Sequence, residues 1–175
     1  MAATLETAEP VAVILIGGGA RSGKSRYALE KARAIDGTRA FVATAQPFDK
    51  EMTTRIDRHR AERGAEFITI EEPLDLAAAV AHPHDVILVD CLTLWLSNLM
   101  FADKNVDLET RTLLAASQAS AGTLIFVTNE VGAGIVPDNA IAREFRDRAG
   151  ILNQRIAAIA HEVYWMVFGQ PLRVK

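Results

Sequence analysis

Eight residues near the N-terminus have the types and spacing to hold a polyphosphate. Gly18, Gly19, Ala20, Arg21, Ser22, Gly23, Lys24 and Ser25 follow the pattern G-x-x-x-x-G-K-[ST]. Glycines let backbone N–H groups curl around phosphate oxygens with no Cβ in the way. Lys24 brings a positive charge to β- and γ-phosphates, and the Ser25 hydroxyl suits Mg²⁺. A helix opening at Lys24 aims its unpaired N–H groups at the same anion. The four fixed positions coincide by chance in about one chain in a hundred of this length. Here they also fall between an apolar run and a helical pattern, as the chemistry requires.

Two more candidates follow. Val86-Ile87-Leu88-Val89-Asp90 is four apolar residues and then a carboxylate. Beside a phosphate loop, Asp90 reads as the second Mg²⁺ group, with Ser25 as the first; taken alone, a strand-end Asp is more often a helix N-cap or loop residue. His59 lies in Thr53-Thr54-Arg55-Ile56-Asp57-Arg58-His59-Arg60-Ala61-Glu62-Arg63. Helical spacing sets Arg55, His59 and Arg63 along one side. Neighbouring guanidinium groups disfavour imidazolium and keep the ring neutral and nucleophilic. The alternative is a solvated helix with a surface histidine. A third constellation, Thr128-Asn129-Glu130-Val131-Gly132-Ala133-Gly134, puts polar groups and two glycines past an apolar run. It reads as ligand-binding loop or plain turn chemistry.

The elements that must position these groups alternate. Apolar runs at 11–16, 40–44, 67–70, 86–90, 123–128 and 163–168 read as strands. Helical patterns at 24–35, 49–63, 74–80, 92–101, 108–120 and 139–162 separate them. Most of the runs are continuously apolar rather than alternating, as in strands buried on both faces of a parallel sheet. The expected fold is α/β and P-loop NTPase-like: a mostly parallel open sheet with helices on both faces. Residues 172–174, after Gly169-Gln170-Pro171, suggest an antiparallel C-terminal edge strand.

With 175 residues, one domain spanning 1–175 is expected, with 1–10 as a flexible tail. Hydrophobic residues are 50% and charged residues 23%, which excludes a wholly disordered chain. A net charge of −3 argues against a broad basic surface for nucleic acid. The single cysteine, Cys91, excludes an intramolecular disulfide and any zinc site needing two thiolates. No apolar run approaches the ~20 residues of a membrane span. Residues 1–10 carry no basic residue, unlike a signal peptide. The expectation is a soluble cytoplasmic protein.

Several stretches together resemble the bifunctional adenosylcobinamide kinase / adenosylcobinamide-phosphate guanylyltransferase family of cobalamin biosynthesis. They are the Gly18–Ser25 loop with Arg26; Ala43-Thr44-Ala45; Glu51-Met52 with Arg55, Ile56 and His59; Asp90-Cys91-Leu92-Thr93-Leu94-Trp95-Leu96-Ser97-Asn98; and Asn129-Glu130-Val131-Gly132-Ala133-Gly134-Ile135-Val136-Pro137. The last runs on through Arg143, Phe145-Arg146-Asp147, Gly150 and Asn153-Gln154. The phosphate loop is shared by many families; R-I-x-x-H and N-E-V-G-x-G-I-V-P are far more specific.

The resemblance implies two reactions. ATP or GTP phosphorylates the hydroxyl on the aminopropanol arm of adenosylcobinamide. GMP then passes from GTP to that phosphate through a guanylylated histidine, giving adenosylcobinamide-GDP and pyrophosphate. It makes His59 the nucleophile and Lys24 a second catalytic group. It puts GTP contacts on Ala43, Thr44, Ala45, Arg60, Ala61, Glu62, Arg63, Glu71 and Asp90, besides the loop. Glu71 would read the guanine edge, with the adjacent Glu72 equally able. It also implies a symmetric homo-oligomer, with a trimer as the family's form. The competing expectation is a P-loop kinase of another small hydroxyl substrate, in which His59 is structural.

Overall fold

The computed structural model describes residues 12–46 and 64–175. The helix expected at 49–63, with His59, Arg60, Ala61, Glu62 and Arg63, lies outside the described residues.

Seven strands form one sheet: β1 Val13–Gly18, β2 Arg39–Ala43, β3 Phe67–Glu71, β4 Val86–Asp90, β5 Thr123–Val127, β6 Glu162–Val167 and β7 Gln170–Arg173. Their order is β3-β2-β4-β5-β1-β6-β7, and every pairing is parallel except β6 with β7. The helices described are α1 Lys24–Arg33, α2 Leu76–Val80, α3 Leu92–Phe101, α4 Val106–Ala119 and α5 Ala140–Ile159.

The continuous apolar runs have the physical meaning expected of them. Side chains alternate across a strand, so each run feeds two cores. Val13, Leu15, Ile87, Val89, Leu124 and Phe126 enter one layer, where α2, α3, α4 and α5 cover them. Ile14, Ile16, Val86, Leu88, Ile125 and Val127 enter the other, against Ala28, Leu29 and Ala32 of α1. Hydrophobic burial on both faces therefore locks the central strands, and the loops at their carboxyl ends stand on a rigid base.

Local polar chemistry moves several boundaries inward. The second described helix starts at Leu76 rather than 74, because Asp75 caps it by accepting from Ala78 N–H at 3.0 Å. The helix expected at 108–120 is instead extended at its start: Asn105 accepts from Leu108 N–H at 3.0 Å, so α4 begins at Val106. Asn139 caps α5 through Ile141 and Ala142 N–H. That helix ends at Ile159, before the expected 162, and His161 Nδ1 accepts the Val13 N–H at 3.0 Å. The C-terminal edge strand is present. It begins at Gln170, and Pro171 is tolerated because it sits on the sheet edge.

Candidate active site

Parallel register places the candidate groups on one rim. Glu71 pairs with Ala43, Ala43 with Asp90, Asp90 with Val127, and Val127 with Ile16. This row runs along the carboxyl ends of β3, β2, β4, β5 and β1, where ligands bind in open α/β sheets. The phosphate loop rises from β1 two residues beyond it.

Two loop glycines are required by geometry. Gly18 ends β1 at φ 149, and a Cβ there would stand 2.8 Å from Ser22 Oγ and 2.9 Å from Met166 O. Gly23 caps α1 at φ 95, a left-handed conformation that side chains disfavour. Between them Gly19, Ala20 and Arg21 are exposed, while Ser22 and Ser25 are half-buried. Lys24 is only 7% exposed. Its Nζ spans the loop, donating to Gly19 O at 2.6 Å and approaching Ser22 Oγ at 3.5 Å. A long cation folded back over a ring of small residues places positive charge where β- and γ-phosphates sit.

Asp90 ends β4, joined to Cys91 by a cis peptide. Its Oδ2 is buried, with no hydrogen-bond partner among the described residues. An unpaired buried carboxylate oxygen is costly unless it meets a cation. The donor set therefore fits Mg²⁺: one carboxylate from Asp90 and one hydroxyl from Ser25, with the other positions left to phosphate and water. Among the described residues, no group of three or more His, Cys, Asp or Glu side chains could hold a metal alone.

A buried polar frame holds Asp90 in place. Thr44 is fully buried; its Oγ1 accepts from Cys91 N–H at 2.8 Å and donates to Cys91 O at 2.9 Å. Asn98 donates to Thr44 O at 2.8 Å and to Pro73 O at 3.0 Å. On the other flank Thr93 Oγ1 accepts from Asn129 N–H at 2.7 Å and lies 3.3 Å from Thr128 Oγ1. Thr128 in turn donates to Asn153 Oδ1 at 2.7 Å. Glu130 N–H donates to Gly18 O at 3.0 Å, so the 128–134 stretch is tied directly to the phosphate loop. Burial, then the charge of Asp90, pushes the Cys91 thiol up to about 11, which keeps it neutral and unreactive.

Not every expected residue comes together. The loop, Asp90 and the 128–130 stretch adjoin. Ala43, Thr44 and Ala45 sit at the end of β2, three strands from β1. Glu71 is four strands away, about 19 Å along the sheet at ~4.8 Å per strand. All three polar groups of Thr44 are spent inside the protein, so ligand contacts at this corner fall to its neighbours. Of the two adjacent carboxylates, Glu72 is committed to the turn, accepting from Leu74 and Asp75 N–H at 2.8 Å each. Glu71 is exposed.

The sequence assigned no bonding role to Thr93 or Asn98, although Asn98 is a signal: an amide inside an otherwise apolar helix needs buried partners. The fold buries Leu92, Trp95, Leu96 and Leu99, and leaves Phe101 and Ile151 exposed.

Fold and site together define a nucleotide-binding α/β protein of the phosphate-loop class. Among solved structures, an ATPase from the type III secretion system of pathogenic bacteria shares this fold with a TM-score of 0.56 at 10% identity. The match covers 89% of this chain and 51% of that one. A Pyrococcus horikoshii protein matches at a TM-score of 0.50 and 9% identity, over 94% and 86% of the two chains. The sequence is far more specific. Residues 14–174 match the family model "Cobinamide kinase / cobinamide phosphate guanyltransferase", and the chain belongs to this family. It is 42% identical to the bifunctional adenosylcobalamin biosynthesis protein CobU of Salmonella typhimurium, covering 93% of this chain and 99% of that one. It is 45% identical to the corresponding CobP of Pseudomonas aeruginosa, over 92% and 96%.

Proposed function

We propose that this chain phosphorylates adenosylcobinamide with ATP or GTP, and then transfers GMP from GTP onto the new phosphate. The carrying observation is the rim itself: the Lys24-spanned loop faces the same edge as Asp90, whose buried Oδ2 has no partner among the described residues. Family membership over residues 14–174 supplies the substrate class.

In the first reaction the loop amides and Lys24 hold the β- and γ-phosphates while the corrinoid hydroxyl attacks the γ-phosphorus. Positioning and charge stabilisation supply the catalysis, as in other phosphoryl transfers. Ser25 and Asp90 would hold a Mg²⁺ ion, which would supply charge neutralisation to the transferring phosphates. In the second reaction His59 attacks the α-phosphorus of GTP. A P–N bond forms, the bond to the bridging oxygen breaks, and pyrophosphate leaves. The corrinoid phosphate then displaces the histidine and takes the GMP. Arg60 and Arg63 offset charge near the α-phosphate, and Glu71 accepts the guanine N–H donors. Ala43, Ala45, Ala61 and Glu62 complete the GTP contacts. The working form is a homo-oligomer, a trimer in this reading, and its setting is the cytoplasm.

Incubation with GTP labelled in the α-phosphate, followed by peptide mapping, tests the mechanism. The expected product is an acid-labile adduct on His59. His59→Asn should lose GMP transfer and retain phosphorylation. Absence of label, or label on another residue, refutes the guanylyl-histidine route.

A further inference from the structure

The β6–β7 hairpin turns through two residues, Phe168 and Gly169, both at positive φ (51° and 80°). Such a turn calls for Asn-Gly or Asp-Gly; an aromatic residue in the left-handed region is an outlier. Phe168 is also 97% exposed, so packing among the described residues does not account for it. Strain of this kind, kept without an internal reward, points to function.

The tip sits against the phosphate loop. Gly169 N–H donates to Ser22 O at 3.1 Å, and Gly169 Cα lies 3.4 Å from where a Cβ on Gly23 would be. Its side of the loop matters. Asp90 lies two strands from β1 in one direction, across β5, whereas the hairpin adjoins β1 in the other. A Mg²⁺ ion held by Ser25 and Asp90 would stand on the β5–β4 side of the loop and would draw the γ end of the nucleotide toward Asp90. The nucleoside end then emerges on the β6 side.

We propose that the Phe168 ring is a stacking platform for the purine base of the phosphoryl donor of the first reaction, held by the Gly18–Ser25 loop; the Glu71 contact belongs to the GTP of the second reaction, bound toward the other end of the sheet. The inference rests on the reading of that loop as the nucleotide's phosphate site. Stacking recognises the π-face common to all bases, so this platform favours neither adenine nor guanine. A donor site open to both ATP and GTP follows from it.

The test compares binding of β,γ-methylene-ATP and of tripolyphosphate, each with Mg²⁺, to the full chain. Phe168→Asn suits the turn and removes the ring; Phe168→Tyr keeps the ring. Phe168→Asn should weaken the ATP analogue about tenfold, leave tripolyphosphate within twofold, and hold or raise the melting temperature. Phe168→Tyr should bind the analogue as wild type does. Unchanged analogue affinity in Phe168→Asn overturns the proposal. A parallel loss of tripolyphosphate overturns it too, because the residue would then be shaping the loop. Lys24→Ala separates the two readings: if it keeps wild-type analogue affinity, the loop is not the phosphate site and both fall. If it loses that affinity while Phe168→Asn does not, only the stacking platform falls.

Discussion

Replacing Thr44 with Val removes one hydroxyl and almost no volume, yet the frame around Asp90 depends on that hydroxyl. Thr44 Oγ1 both accepts from Cys91 N–H and donates to Cys91 O, in a fully buried setting. The two losses are unequal. Cys91 O keeps a second partner, Trp95 N–H at 3.2 Å. Among the described residues the Cys91 N–H keeps no such partner, and an orphaned buried donor costs about 1–3 kcal/mol. With a smaller loss at the carbonyl, Thr44→Val should destabilise by about 2–3 kcal/mol. For a chain of this length that lowers the melting temperature by about 4–12 °C. Thr44→Ser keeps both bonds and deletes one methyl, for about 1 kcal/mol. Calorimetry gives the first readout. Mg²⁺-dependent nucleotide affinity gives the second, because Cys91 follows Asp90 in the chain: it should weaken in the Val variant and hold in the Ser variant. A Val variant melting within 1 °C of wild type, or a Ser variant falling as far as Val, refutes the clamp.

Three other outcomes are expected. Asp90→Asn removes a buried charge whose Oδ2 has no partner among the described residues; its melting temperature should hold or rise while Mg²⁺-dependent phosphoryl transfer is lost, and a fall of more than about 4 °C, which is about 1–2 kcal/mol for a chain of this length, counts against this account. The Cys91 thiol, raised to about 11, favours the folded protein below the unfolded value near 9 and loses that advantage as pH climbs from 9 toward 11. Wild type should therefore lose more stability than Cys91→Ala across that window in pH-dependent denaturation, and iodoacetamide should leave the native thiol unmodified at pH 8. Lys31 Nζ meets Glu162 Oε2 at 2.7 Å, and hydrogen bonds from Lys31 and Tyr164 hold the Glu162 carboxyl below its usual range. That contribution is present above the ordinary carboxylate value and lost as pH falls through the lowered one. Lys31→Met should thus cost about 1 kcal/mol at neutral pH, with the difference closing in acid denaturation.

Local chemistry made much of this protein legible in its residues. The loop at 18–25 carries its own conformational demands in Gly18 and Gly23, and the runs at 86–90 and 123–128 declare strands buried on two faces. The family follows from short motifs spread along the chain. What lay beyond reach was whatever depends on which strands are neighbours. Thr44 and Cys91 are 47 residues apart, and Asn98 meets both Thr44 and Pro73; no periodicity announces such bonds. The separation of Glu71 from the phosphate loop is likewise a consequence of strand order. So is the placement of Gly169, at the hairpin tip, beside Gly23, set by β6 pairing with β1. Residue types determine what each segment can bond or bury, because those preferences act over a few neighbours. Which distant groups share a rim is decided only when the sheet closes both cores, since that burial selects one strand order and one register.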